Sequence, residues 1–344
     1  MFDDALVESP QLVADQQLRW LAMTGARLRE AASATEAVRL DRLERPRAMV
    51  LVGRGAGVLR AALESVCPVP VVRWSRPGLP GWVSALDFVV VLGGETAGKA
   101  ELQAVQDAAR RGAGLLVAAP TDSQLAVTAQ STRSMWFPVA DDALIQTMTV
   151  LARLGEVGLG PHILIEHLAD AADLVAAECS PRLDSSQNPA KNLALGIGDE
   201  LPLLWGGTRL AAVAARKLAT KFRSSSGQPA LAADAAQLAV LVRQSRRRDL
   251  FSDPVEDQTA AAPVLVLLDD QVADEQRGAD GEWLAELAAN FGVPSCRISS
   301  GAAEPAISAS QRYVMLLQYG RYAAAYLRAG MGEADEHIRQ TPTL

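Results

Sequence analysis

With 344 residues and 49% hydrophobic content, the chain is long enough for two packed cores and too apolar to be disordered. Its 33 basic residues against 40 acidic leave a net charge of −7, which argues against nucleic acid or an anionic membrane surface as partner. Cys67, Cys179 and Cys296 are odd in number and lack CxxC spacing, which suits a reducing compartment, and no apolar run approaches the ~20 residues of a membrane helix.

The chain opens on MFDDALVESP, acidic and without the basic and apolar regions of a signal peptide, so a cytoplasmic location is expected. Residues 10–34 read as one helix, with Ala14, Leu18, Leu21 and Leu28 at about helical spacing. Residues 48–57, AMVLVGRGAG, read as a buried strand running into a turn of three glycines, followed by a helix over 58–66. Glycine lets a ligand approach the backbone, and the helix start beyond it offers unpaired N–H groups to an anion such as phosphate. A tight strand-to-helix connection without a ligand is the alternative.

A second apolar run, 69–74, precedes the loop SRPGLPGW, and a third strand, 87–92, breaks into Gly93-Gly94-Glu95-Thr96. A helix over 98–112 ends in RRG, with cations and glycine where a helix C-terminus favours them. Strands at 115–119 and 136–139 and a helix over 141–154 complete this half. Strands alternating with helices predict a parallel sheet covered on both faces, with ligands beyond the carboxyl ends of the strands. Both glycine turns, 53–57 and 93–96, lie at such ends and are expected to share one pocket. Asp141 and Asp142 open a helix, where its dipole favours carboxylates.

A break at 155–160 and a helix over 163–179 lead to a second α/β pattern. It comprises a short helix in NPAKNLALGIGDE, a strand and turn in LPLLWGG, helices over 208–222 and 230–243, and a basic run at Arg246–Arg248. An Asp/Pro-rich loop over 252–262, a strand at 264–268, a helix over 281–291, a strand at 293–298 and a long helix over 306–329 follow. The order repeats that of the first half, as in a diverged duplication. Expected divisions are an N-terminal helical segment (1–40), a first domain (41–157), a linking helix (158–187) and a second domain (188–344).

Two such halves resemble the sugar isomerase (SIS) fold, and within it the bacterial and archaeal bifunctional phosphoglucose/phosphomannose isomerases, more narrowly their divergent actinobacterial (TobH-type) branch. MFDDAL, NPAK at 188–191, LLWG at 203–206 and the final helix YVMLLQYGRYAAAYLRAG carry the resemblance. It implies an α/β chain of two three-layer αβα SIS-like domains, each with a mostly parallel sheet flanked by helices. It further implies a phosphosugar ligand, no cofactor, and a homodimer.

The family's first turn reads Gly-x-Gly-Gly-Ser; here Gly53, Arg54, Gly55, Ala56 and Gly57 occupy it, without the serine. The family's Ser-x-Ser-Gly-Asn-Thr, whose hydroxyls bind sugar phosphate, is reduced at its last four positions to Gly93, Gly94, Glu95 and Thr96. On this basis Gly53, Arg54, Gly55, Gly57, Gly94, Glu95, Thr96 and Lys191 are the candidate ligand-binding residues. A cap on the short NPAK helix is the other reading of Lys191.

Aldose–ketose isomerisation needs a base, a ring-opening acid and a cation for the enediolate. The family's glutamate, histidine, arginine and C-terminal lysine have no counterparts here. RSSSGQPA stands where Asn-Glu-Asn is expected, ADDAL where Pro-Arg is, no histidine lies between His167 and His337, and Lys221 is the last lysine. A phosphosugar-binding protein without the family's catalytic set is the first reading, with Glu95 the catalytic candidate if activity survives. A non-catalytic regulatory partner and a dinucleotide-binding enzyme are the others. In the last, GRGAGV would be the phosphate turn and Arg73, Ser75 and Arg76 would take a 2′-phosphate, although Val58 stands at the third glycine position. His162, His167 and the cysteines offer no metal spacing.

Overall fold

The structure is a computed structural model and describes residues 1–40, 44–132, 134–245, 261–271, 275–301 and 307–332. The basic run at Arg246–Arg248, most of the Asp/Pro-rich loop and His337 lie outside them. The chain divides into two units, Thr24–Asp170 and Met1–Met23 with residues 171–332. Each is an α/β body built on one parallel sheet flanked by helices. The first 23 residues thus group with the second sheet, and the division falls within the helix expected to link the halves.

In the first-sheet unit, strands β1 (Met49–Gly53), β2 (Val71–Trp74), β3 (Phe88–Leu92), β4 (Gly114–Ala119) and β5 (Met135–Pro138) lie in the order β2-β1-β3-β4-β5, all parallel. Helices α3 (Thr24–Glu36), α4 (Ala56–Leu63), α5 (Lys99–Arg110), α6 (Gln124–Gln130) and α7 (Ala143–Glu156) belong to this unit. Every residue of β3 is buried, as its unbroken apolar run predicts for a central parallel strand. Val50, Val52, Val89, Val91 and Val117 meet Ala104, Val105 and Ala108 of α5 and Leu125 and Ala129 of α6 in one core layer. On α7 and α3 the packing continues against β3, β4 and β5.

The second-sheet unit contains β6 (Leu201–Gly206), β7 (Leu231–Ala232), β8 (Pro263–Asp269) and β9 (Ser295–Ser299) in the order β7-β6-β8-β9, again parallel. This repeats the β2-β1-β3-β4 order of the first sheet. Its helices are α1 (Asp4–Val7), α2 (Gln16–Ala22), α9 (Pro189–Ile197), α10 (Arg209–Ser226), α11 (Ala235–Gln244), α12 (Glu275–Asn290) and α13 (Ala309–Gly330), while α8 (Ile165–Glu178) spans the division. α13 is almost wholly buried and packs on α1, α2, α9 and α10.

Several elements differ from the sequence pattern. The helix expected over 10–34 is three pieces: a 3₁₀ turn (Pro10–Ala14), α2 and α3. Asp15 starts a new helix by accepting the Leu18 N–H at 2.8 Å, while Leu18, Leu21 and Leu28 of the expected stripe are buried. α6 has no counterpart in the sequence reading, because its seven residues are too few for a clear period. Ala230, expected in a helix, precedes the two-residue strand β7.

Candidate functional site

The two glycine turns leave β1 and β3, which are hydrogen-bonded neighbours at the point where the strand order reverses. In parallel sheets this is where a crevice opens for ligands. β1 ends on Gly53 at φ +100°, and a side chain there would run into the Leu92 carbonyl of the adjoining strand. Only glycine permits that turn. It directs Arg54 toward the loop that follows β5.

There the Arg54 guanidinium makes a short ion pair with one carboxylate oxygen of Asp141. The other Asp141 oxygen accepts the backbone N–H of Glu95 at 3.0 Å. Gly94 makes the approach possible: a Cβ at that position would lie 2.5 and 2.7 Å from the two Asp141 oxygens. Gln146 of α7 ties the loops together, its Nε2 donating to Gly93 O at 2.8 Å and Ala140 O at 3.0 Å from a fully buried position. The arrangement is an anion cradle, with a guanidinium and a backbone N–H closing on a carboxylate.

Arg54, Gly94 and Glu95 are therefore brought together with Asp141, a residue the sequence reading gave to the helix dipole. The capping role belongs to Asp142 alone, which accepts the Leu144 N–H at 2.9 Å and pairs with Arg27 at 3.2 Å. Two adjacent aspartates before a helix carry no sequence signal that separates them. Glu95 contributes its backbone, while its side chain and that of Thr96 face solvent. Gly55 caps α4 and Gly57 sits in its first turn, 3.8 Å from the Arg73 guanidinium as measured from where a Cβ would be.

Lys191 belongs to the other unit and neither caps its helix nor faces an open site. Asn188 is the cap, accepting the N–H groups of Ala190 and Lys191 at 3.0 Å each, with Pro189 at the first helical position. The Lys191 ammonium is buried against Glu8 at 2.8 Å, with the Pro181 carbonyl at 3.3 Å and the Tyr326 ring at 5.7 Å. That ammonium holds the Glu8 carboxyl below its ordinary range.

A second candidate lies at the carboxyl end of β6, where a cleft of 530 Å³ is lined by Trp205, Gly207, Thr208, Arg209, Arg216 and Asp234, among others. Its size is that of a small-molecule pocket. The Thr208 hydroxyl caps α10 and makes a short hydrogen bond to Asp270 beyond β8. Nothing in the sequence reading pointed to ligand residues there. Among the described residues no cluster of His, Cys, Asp and Glu is arranged to hold a metal, and no helix is long and apolar enough to cross a membrane.

Residues 186–332 match the family described as the bacterial phospho-glucose isomerase C-terminal SIS domain. The chain shares its fold with tagatose-6-phosphate ketose/aldose isomerase from Escherichia coli, at a TM-score of 0.66 and 12% identity over 96% of each chain. The C-terminal domain of glucosamine-fructose-6-phosphate aminotransferase from Francisella tularensis superimposes at 0.64, with 11% identity over 92% of this chain and 96% of that one. A glucose-6-phosphate isomerase like protein from Thermus thermophilus does so at 0.52, with 16% identity over 92% of each. No curated protein matches the chain in sequence.

Proposed function

We propose that this chain binds a phosphosugar, or a similar phosphorylated carbohydrate, at the strand-end cradle of the first-sheet unit without isomerising it. One observation carries the reading: Arg54 and the Glu95 N–H already close on an anionic group where β1 and β3 end. The SIS match over 186–332 and the shared fold support the ligand class, since the solved relatives are named for sugar phosphates. Gly53, Gly55 and Gly57 would shape the turn, Gly94 would let the ligand approach, and Thr96 would border it.

The same loops leave turnover without a base. Asp141 is engaged by Arg54, and Glu95 stands in solvent, so neither is set up as the base that moves a proton between two carbons. The chain would then be a non-catalytic member of the actinobacterial TobH-type branch, acting as a homodimer in the cytoplasm.

The test is thermal unfolding with glucose 6-phosphate, fructose 6-phosphate, mannose 6-phosphate and NADPH, followed by a coupled isomerase assay on every hit. A ligand that binds only the native state raises its apparent stability. The expected outcome is a shift with a phosphosugar, none with NADPH, and no turnover. Turnover that disappears in Glu95→Gln would replace this reading with an active isomerase. A second reading, a regulatory partner that binds no sugar, is favoured by the cradle's being filled from within, and it predicts no shift with any of the four.

A further inference from the structure

We propose that Asp141 is a resident competitor for the cradle, an internal carboxylate that sets how tightly the site takes an external phosphate. This rests on the phosphosugar reading and gives it a mechanism. Each oxygen of Asp141 takes one donor, Arg54 on one side and the Glu95 N–H on the other, which is how two oxygens of a phosphate would be held. A ligand phosphate and the Asp141 carboxylate cannot use those donors together.

Three features make the exchange feasible. Asp141 is not needed by its helix, because Asp142 makes the cap and the buried pair with Arg27. The cradle does not depend on Asp141 for its shape, because Gln146 holds the carbonyls of Gly93 and Ala140 from beneath. The pair is also within reach of solvent, the Arg54 and Asp141 side chains being 20% and 23% exposed. A rotation of the Asp141 side chain toward water therefore withdraws its carboxylate from both donors without moving the backbone. The affinity of the site for phosphate is lowered by the fraction of time that Asp141 occupies it.

The experiment compares the wild-type chain with Asp141→Asn and Asp141→Ser, titrating each with inorganic phosphate and with glucose 6-phosphate by calorimetry, after circular dichroism has shown native folding. Expected is tighter binding of inorganic phosphate in at least one variant, by about tenfold or more. Adding Arg54→Met should abolish that gain. If wild type binds glucose 6-phosphate and both variants bind either ligand no more tightly than it does, the competitor role is wrong and the phosphosugar reading stands. If the variants gain inorganic phosphate but no form binds a sugar phosphate, the competitor stands and the sugar reading falls. If no form binds either ligand, both fall.

Discussion

The Lys191 ammonium lies 2.8 Å from the Glu8 carboxylate, 183 positions away in sequence. The pair joins the start of the chain to the NPAK helix, while Asn188 Nδ2 reaches the Tyr326 hydroxyl of α13 at 3.3 Å and Asp3 donates its N–H to Gly330 O at 2.8 Å. MFDDAL, NPAK and the last helix, three of the four segments on which the expected family resemblance rests, thus meet inside one unit. Their shared role there is architectural.

Glu8→Ala should destabilise the second-sheet unit by about 2 kcal/mol, because it removes the carboxylate bonded to a buried ammonium and leaves the Pro181 carbonyl and the Tyr326 ring face beside it. Lys191→Met should cost less, since an apolar chain of similar length refills the space. Urea denaturation of both single variants and the double variant checks this through the coupling term.

Acid stability should depend on Asp87. Burial alone would raise its carboxyl, but the Arg47 guanidinium, bonded at 3.0 and 2.7 Å, and the Ser84 N–H at 2.8 Å outweigh it and leave it lowered. A lowered folded-state value contributes stability that is fully present above the unfolded value of 3.8 and is lost as pH falls through the folded one. Denaturation midpoints measured from pH 6 downward should therefore fall less steeply in Asp87→Asn than in wild type, from a lower starting point.

Lys221 should act at the alkaline end. Burial, then the Arg321 and Arg328 guanidiniums, push its ammonium down to about 8 from 10.5. Below pH 8 both folded and unfolded chains carry the proton and the folded state bears the full penalty. Between pH 8 and 10.5 the unfolded chain holds more protons, so this group makes stability rise with pH. Lys221→Met should raise stability at pH 7 by about 1–2 kcal/mol and remove the rise.

The first glycine turn should divide under mutation. Gly53→Ala should cost about 3 kcal/mol or more, because φ is +100° and the new methyl meets the Leu92 carbonyl of β3. Gly57→Ala should instead stabilise α4 by about 0.5–1 kcal/mol, since it lies in helix with its nearest neighbour, Arg73, at 3.8 Å. Thermal unfolding of the two variants side by side decides it.

The strands and most helices were legible in the sequence because burial on both faces leaves a local trace: MVLVG and FVVVL are unbroken apolar runs closed by glycine. α6 and β7 were not, being too short for a period to show. The cradle was half legible. Two glycine turns at neighbouring strand ends marked the place, and Arg54 was the cation within it. What fills it was hidden, because Asp141 and Asp142 read alike in the chain.

The sequence by itself therefore determined the α/β alternation, the parallel sheets and the strand ends at which a ligand site would open, all of which follow from patterns a few residues long. Only the tertiary structure decided that residues 1–23 belong to the second-sheet unit, that Lys191 pairs with Glu8, and that Asp142 caps while Asp141 turns to Arg54. Those outcomes depend on donors and acceptors far apart in sequence, 87 residues for Arg54 and Asp141 and 183 for Lys191 and Glu8, and no local pattern records which of two equivalent carboxylates the distant partner will meet.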